Sequence, residues 1–181
     1  SGQSDILLGC SINGRSHAAL APLLGNLGWD LGLRTDLSGE PTFAELVQRV
    51  GRVVTEALEH QDLPVAEAFR ALRQDAHETF DPFFKVMITA LVQPGGIPVS
   101  GLAVEPLALW LPRGTLYYDL FVAWVAIGDR CYLSFDYAED LFERATIELL
   151  AQTMIRTIAA GVASPGVLLS ALPREEALQS N

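Results

Sequence analysis

The sequence predicts an α/β (α+β layered) chain, a mixed sheet of about six strands with helices packed on it. Three observations carry that expectation. Short apolar runs of strand length recur along the chain, one long segment switches to a 3.6-residue period, and Gly or Pro clusters separate the pieces. Strands and helices interspersed in this way bury their apolar faces as layers around one sheet.

Residues 5–10 read as a short, nearly continuous apolar strand, which Asn13-Gly14 ends with a turn signal. Residues 17–24 predict a short helix closed by Gly25. Leu27, Trp29, Leu31 and Leu33 then alternate with Gly28, Asp30, Gly32 and Arg34, a strand with one apolar face whose glycines lower strand propensity. From Pro41 the period changes. Phe43, Leu46, Val47, Val50, Val54, Ala57 and Leu58 form one helical stripe, and Thr42 with Glu45 supplies a capping box for two orphaned amides. Gln61-Asp62-Leu63-Pro64 breaks that helix, and a second, shorter one is expected over 65–73.

Residues 83–92 are rich in aromatic and β-branched side chains and read as a buried strand, stopped by Pro94-Gly95-Gly96. Residues 102–110 read as a strand whose Pro106 favours an edge or a bulge. Residues 118–127 and 131–137 are two strands joined by the hairpin signal Gly128-Asp129-Arg130. Asp140 and Glu143 resemble another capping arrangement, opening a long helix through Leu149, Leu150, Met154 and Ile158 that Gly161 closes. An apolar stretch over 167–172 precedes a polar tail at Pro173.

Composition excludes several classes. The 181 residues suit one globular domain, and with 50% hydrophobic and 19% charged residues the chain is not disordered. The longest apolar run, residues 120–127, is less than half of the roughly 20 residues a membrane-crossing helix needs. With 22 acids against 12 bases and a formal charge of −10, nucleic acid is not an expected partner. Cys10 and Cys131 are too few for a disulfide framework, and read as buried free thiols in a reducing compartment. Residues 1–5 lack the pattern of a signal peptide, so a cytoplasmic location is expected. A mean hydropathy of +0.27 in so acidic a chain calls either for a large core or for apolar surface that something else covers.

Residue chemistry alone offers no complete catalytic set. His17, His60 and His77 have no neighbours at metal-ligand spacing, no Gly-x-Ser-x-Gly elbow is present, and the glycines lack phosphate-loop spacing. His77-Glu78-Thr79-Phe80-Asp81 has a spacing that recurs in acyltransferases, yet as a lone match it reads as a polar connector. Arg15, just after a strand end, either aims its guanidinium into a cleft to fork onto a carboxylate or lies solvated on the surface. Asp119, inside an aromatic strand entry, either finds structural donors or serves a binding surface. No metal site and no bound cofactor are expected, and spacing alone supports a binding module or part of something larger.

The order of segments is more informative. His60-Gln61-Asp62-Leu63-Pro64 matches a His-Gln-Asp-x-Pro motif, and Asp81-Pro82-Phe83-Phe84-Lys85-Val86 resembles an Asn-Pro-Leu-Phe-Gln-Val strand entry. Gly25, Leu27 and Leu33-Arg34 fit a Gly-x-Phe-Val-Asn-Thr-x-x-x-Arg stretch, and Tyr118-Asp119-Leu120 fits a Phe-Asp-Leu strand. Asp136-Tyr137 with Leu141-Phe142 fits a Tyr-x-x-x-Leu-Phe run before the last helix. Over nearly its whole length the chain resembles the C-terminal half of a nonribosomal peptide synthetase condensation domain.

The resemblance implies a chloramphenicol acetyltransferase-like fold of two lobes with a tunnel between them. Residues 1–172 would be the C-terminal lobe, and 173–181 the start of a linker to a following domain. Carrier proteins would bring donor thioester and acceptor amine on phosphopantetheine arms, the only cofactor groups implied. The catalytic His-His-x-x-x-Asp-Gly motif belongs to the N-terminal lobe and is absent from this sequence, so no catalytic residue is expected here and the chain alone should be inactive. Arg15 matches a family Arg that pairs with the Asp of that motif. Residues 17–34 would form part of the tunnel floor, with Arg15, Trp29, Asp30, Arg34 and Asp119 as supporting or tunnel-lining candidates. His60, Gln61, Asp62, Pro64, Asp81 and Pro82 match motifs in a structural sense. Residues 93–115 are a candidate crossover that clasps the other lobe.

Trp29-Asp30 departs from the usual Asn-Thr, which would narrow the tunnel, change substrate choice, or mark a relative that condenses nothing. The expected partners are the N-terminal lobe and peptidyl carrier proteins, with self-association through the exposed lobe face in isolation. Two alternatives stand beside amide formation: a non-catalytic recruitment or docking domain of the same fold, and a free-standing acyltransferase.

Overall fold

A computed structural model describes residues 2–63, 84–93, 100–101, 118–127 and 129–174. Within them the elements run β1 (Asp5–Ile12), a 3-10 turn (Ala18–Leu20), β2 (Trp29–Asp36), α1 (Phe43–Glu59), β3 (Val86–Gln93), β4 (Leu120–Ile127), β5 (Arg130–Tyr137), α2 (Arg144–Ala163) and a closing 3-10 turn (Leu169–Ala171). The strands form one sheet in the order β2-β1-β3-β4-β5. It is mixed, as expected: β1–β2 and β4–β5 are antiparallel, whereas β1–β3 and β3–β4 are parallel.

The two-residue period of the strands sorts side chains onto two faces. One face receives both helices. Leu120 and Val122 of β4 are buried with Ile147 of α2, and Ile88, Phe135, Leu150 and Met154 pack around them. Each such aliphatic side chain taken from water contributes roughly 1.5–3 kcal/mol. On the opposite face Gly9 and Gly32 are cross-strand partners, and the Phe84 ring lies over both. A Cβ on Gly9 would stand 1.9 Å from the Met87 sulfur and 2.6 Å from the Phe84 ring. Met87 is 0% exposed and Phe84 3%, and both fit closely here because Gly9 and Gly32 have no side chain.

The expected capping box opens α1. Glu45 donates its N–H to Thr42 Oγ1 at 3.2 Å, and the Glu45 carboxylate accepts the Thr42 N–H at 2.8 Å. Two more amides of the first turn are satisfied from the far end of the chain, Phe43 N–H by Val167 O and Ala44 N–H by Pro165 O, both at 2.9 Å. Thr42 and Leu168 form an isolated β-bridge, which joins the segment after α2 to the start of α1.

Several local expectations are corrected. Residues 17–24 give only the 3-10 turn, because Pro22 has no N–H to continue a helical ladder from Ala18. Asp140 does not cap α2, since a turn bonded to the Ala138 carbonyl through Leu141 and Phe142 intervenes, and Glu143 occupies the N-cap without a side-chain bond. Gly161 does not end α2 either. It is buried inside the helix, where a Cβ would fall 2.3 Å from the Phe43 ring, and so serves helix contact. Cys10 is half-buried, but Cys131, beside the β4–β5 turn on an edge strand, is exposed. The helix expected over 65–73, the strand over 102–110, the connector at 77–81, most of the candidate crossover over 93–115, and Pro64, Asp81 and Pro82 lie outside the described residues, as does most of the tail over 173–181. Among the described residues five strands and two substantial helices stand against about six and three expected.

Two stability tests follow. Gly9→Val should cost about 1–3 kcal/mol through overpacking against Met87 and Phe84, read as a lower urea midpoint. Thr42→Ala should cost about 0.5–2 kcal/mol through the lost cap. The bonds from the Thr42 backbone and hydroxyl hold the Glu45 carboxyl below its ordinary 4.5. A depressed carboxyl stabilises the fold above its unfolded pKa, and that contribution is lost as pH falls through the folded value. The Thr42→Ala penalty should therefore shrink on acidification below about pH 4.5.

Candidate functional site

Ile12 and Trp29 are the last cross-strand partners of β1 and β2, so residues 13–28 close that hairpin as a long loop. Its backbone folds around one side chain. The Arg15 N–H donates to Asn13 Oδ1 at 3.0 Å, which tightens the exit from β1. The guanidinium then donates through Nη1 to Asn13 O at 3.2 Å and through Nη2 to Leu23 O at 3.0 Å and Gly25 O at 3.1 Å. Gly14 sits between them at a φ of +61°, where a Cβ would also collide with the Leu27 carbonyl at 1.7 Å.

At the other end of the loop, Trp29 donates its indole N–H to the Gln61 carbonyl at 2.8 Å. That carbonyl belongs to the segment that terminates α1. His60 donates its N–H back to Ala57 and Leu58, and the Gln61 side-chain amide donates to Leu58 O at 2.8 Å. His60 and Asp62 are exposed. His60 and Gln61 thus lie where α1 ends, and the Gln61 carbonyl holds the Trp29 indole.

Asp30 accepts from two hydroxyls: Ser11 Oγ donates to Oδ1 at 2.8 Å, and Tyr118 Oη donates to Oδ2 in a short bond. Tyr118 lies just before β4, so the bond ties the entrance of β4 to β2. Burial first, and then the hydrogen bond to Asp30 and its charge, push the Tyr118 phenol well above its ordinary value and keep it a donor. Burial, with the Asp30 charge second, also pushes the Cys10 thiol up, so Cys10 is not an activated nucleophile.

These residues surround one open hollow of about 420 Å³, walled by Ser11, Asn13, Arg15, Asn26, Trp29 and Asp30 among others. Three of the sequence candidates, Arg15, Trp29 and Asp30, therefore meet. Arg34 and Asp119 do not join them. Arg34 forks onto Asp5 of the neighbouring strand, with Nη2 to Oδ2 at 2.6 Å, in an exposed ion pair. Asp119 uses its backbone to join β3 and β5, its N–H to Lys85 O and its carbonyl to Ala138 N–H. Ser11 and Tyr118 were not among the candidates. The signal for Ser11 was the β1–β2 register, which places it opposite Asp30 and is not written in either strand alone.

The hollow offers amide and hydroxyl groups, one carboxylate and one guanidinium, and its Ser11 hydroxyl is bonded to the Asp30 carboxylate. Among the described residues no group of His, Cys, Asp or Glu could hold a metal ion. No helix among them is long and apolar enough to cross a membrane.

A family model described as Condensation domain matches residues 1–176. A linear gramicidin synthase from Brevibacillus parabrevis is 35% identical over 179 residues, covering 96% of this chain and 3% of that protein. Among solved structures, the X-domain from teicoplanin biosynthesis is 25% identical with a TM-score of 0.78, over 95% of this chain and 40% of that one. The first condensation domain of the calcium-dependent antibiotic synthetase, solved in complex with substrate analogue 2a, superposes with a TM-score of 0.70 at 18% identity, over 96% of this chain and 38% of that one.

The loop geometry makes a direct prediction. Arg15→Lys keeps the charge but cannot serve three carbonyls from one rigid fork. Amide hydrogen exchange should then accelerate across residues 13–28 while α2 keeps its protection; unchanged exchange in the loop would show that Arg15 does not hold it.

Proposed function

Because the chain belongs to the condensation domain family, we propose that it is the C-terminal lobe of such a domain in a cytoplasmic nonribosomal peptide synthetase. One observation supports this above the others: the chain is matched almost end to end while spanning about 38% to 40% of the solved domains it resembles. The sequence also lacks His-His-x-x-x-Asp-Gly. The reaction of the whole domain is amide formation, in which the amine of one carrier-bound substrate attacks the thioester of another. A histidine of the N-terminal lobe would handle the proton, and oriented donors would hold the tetrahedral oxyanion.

In this reading the hollow at the β1–β2 end is the tunnel floor, and its residues shape and orient. Trp29, fixed by its bond to Gln61, is a rigid wall that narrows the space. Arg15 faces the missing motif, and its geometry limits what it does there. Every two-nitrogen fork of a guanidinium includes Nη2, and here Nη2 serves two carbonyls. Arg15 therefore meets a carboxylate of the other lobe through one nitrogen, or forks onto it by releasing a loop carbonyl. Carrier-protein phosphopantetheine arms deliver the substrates. Exposed Val47 and Val50 on α1 and Ile155 and Val162 on α2 supply apolar surface for the N-terminal lobe to cover, or for self-association without it.

The test is a carrier-loaded condensation assay read by mass spectrometry of the dipeptidyl carrier. The domain with its His-motif lobe should form the amide. The 181-residue chain alone should not, and turnover by the chain alone would overturn the assignment.

A further inference from the structure

Among the described residues Asp30 is a charge without a counter-ion. It lines the hollow, and its two hydrogen-bond partners, Ser11 and Tyr118, are neutral hydroxyls. Among the described residues no cation pairs with it. Arg15 is the cation on the same wall, yet its guanidinium is directed to Asn13, Leu23 and Gly25 carbonyls. A carboxylate oriented by one donor on each oxygen still has acceptor lone pairs, and their direction is set before any ligand arrives. In a concave wall with low-dielectric neighbours such as Trp29, that charge favours a positive group over a neutral one.

We propose that Asp30 is a specificity-determining residue, selecting carrier-bound substrates whose side chain ends in a cationic amine and receiving that amine in the hollow. The proposal rests on the condensation reading and adds the substrate class to it. Ser11 and Tyr118 act as positioning residues, holding the carboxylate at one orientation.

The experiment uses the full condensation domain with its N-terminal lobe and compares ornithinyl with norvalinyl substrates, which share a side-chain length and differ in the terminal amine. Each is tried once as donor and once as acceptor, so that the two arms identify which side reaches Asp30. In at least one arm the wild-type domain should prefer ornithinyl, through KM, and added salt should erode that preference. Asp30→Asn should lower the ornithinyl-to-norvalinyl ratio of kcat/KM by about ten- to a hundredfold, the worth of one charge-assisted hydrogen bond. Tyr118→Phe keeps the ring and the charge but frees one carboxylate oxygen, and should lower the same ratio less. A wild-type ratio that shows no ornithinyl preference in either arm, or that Asp30→Asn leaves unchanged, overturns the selectivity of Asp30 while leaving condensation intact. A wild-type domain that joins neither substrate overturns the condensation reading and this proposal with it.

Discussion

The parallel seam between β1 and β3 is the constraint from which the rest of the architecture follows. Its register joins Gly9 to Met87, and the Phe84 ring covers Gly9 at a distance no Cβ would permit and Gly32 at one a Cβ would make tight. On one side of the seam lies the β2–β1 pair with its long loop. On the other lie β3, β4 and β5 with the core under α2. Tyr118 reaches Asp30 only because the seam holds the entrance of β4 and the start of β2 at a fixed separation. The dry contact and the polar hollow are therefore parts of one construction.

A second constraint is the supply of hydrogen-bond donors to a loop. Residues 13–28 have little regular structure of their own, so several of their carbonyls turn to a side chain. One arginine serves three of them, and this organises the hollow and commits much of a guanidinium that the sequence left either aimed into a cleft or solvated on the surface. Among the described residues the same geometry leaves Asp30 as the carboxylate of the wall without an ionic partner. Whether a charged residue pairs or remains available is decided by such competition with backbone groups.

Much was legible in the sequence, and the reason is local. The stripe from Phe43 to Leu58 and the Thr42–Glu45 box require only that neighbours in sequence become neighbours on a helix, and both stand as read. The hairpin signal between β4 and β5 likewise stands, because the turn connects strands that pair directly. Errors arose where a residue's meaning depends on something distant. Gly161 looked like a helix stop and is the place where α2 admits Phe43 of α1. Arg34 matched a motif and forks onto Asp5 across the strand pair. Arg15, Trp29 and Asp30, three of the candidates, line one hollow, while Ser11 and Tyr118, which bond to Asp30 there, were not among the candidates.

By itself the sequence determined the layered fold class, the capped helix and the family, since each is carried by periodicity or by the order of short motifs along the chain. Only the tertiary structure decided which of the candidate charges share a wall. Ser11 and Asp30 are 19 residues apart and Asp30 and Tyr118 are 88 apart. Separations of that size become contacts through the register and order of strands, which depend on the packing of the whole sheet rather than on any segment's own pattern.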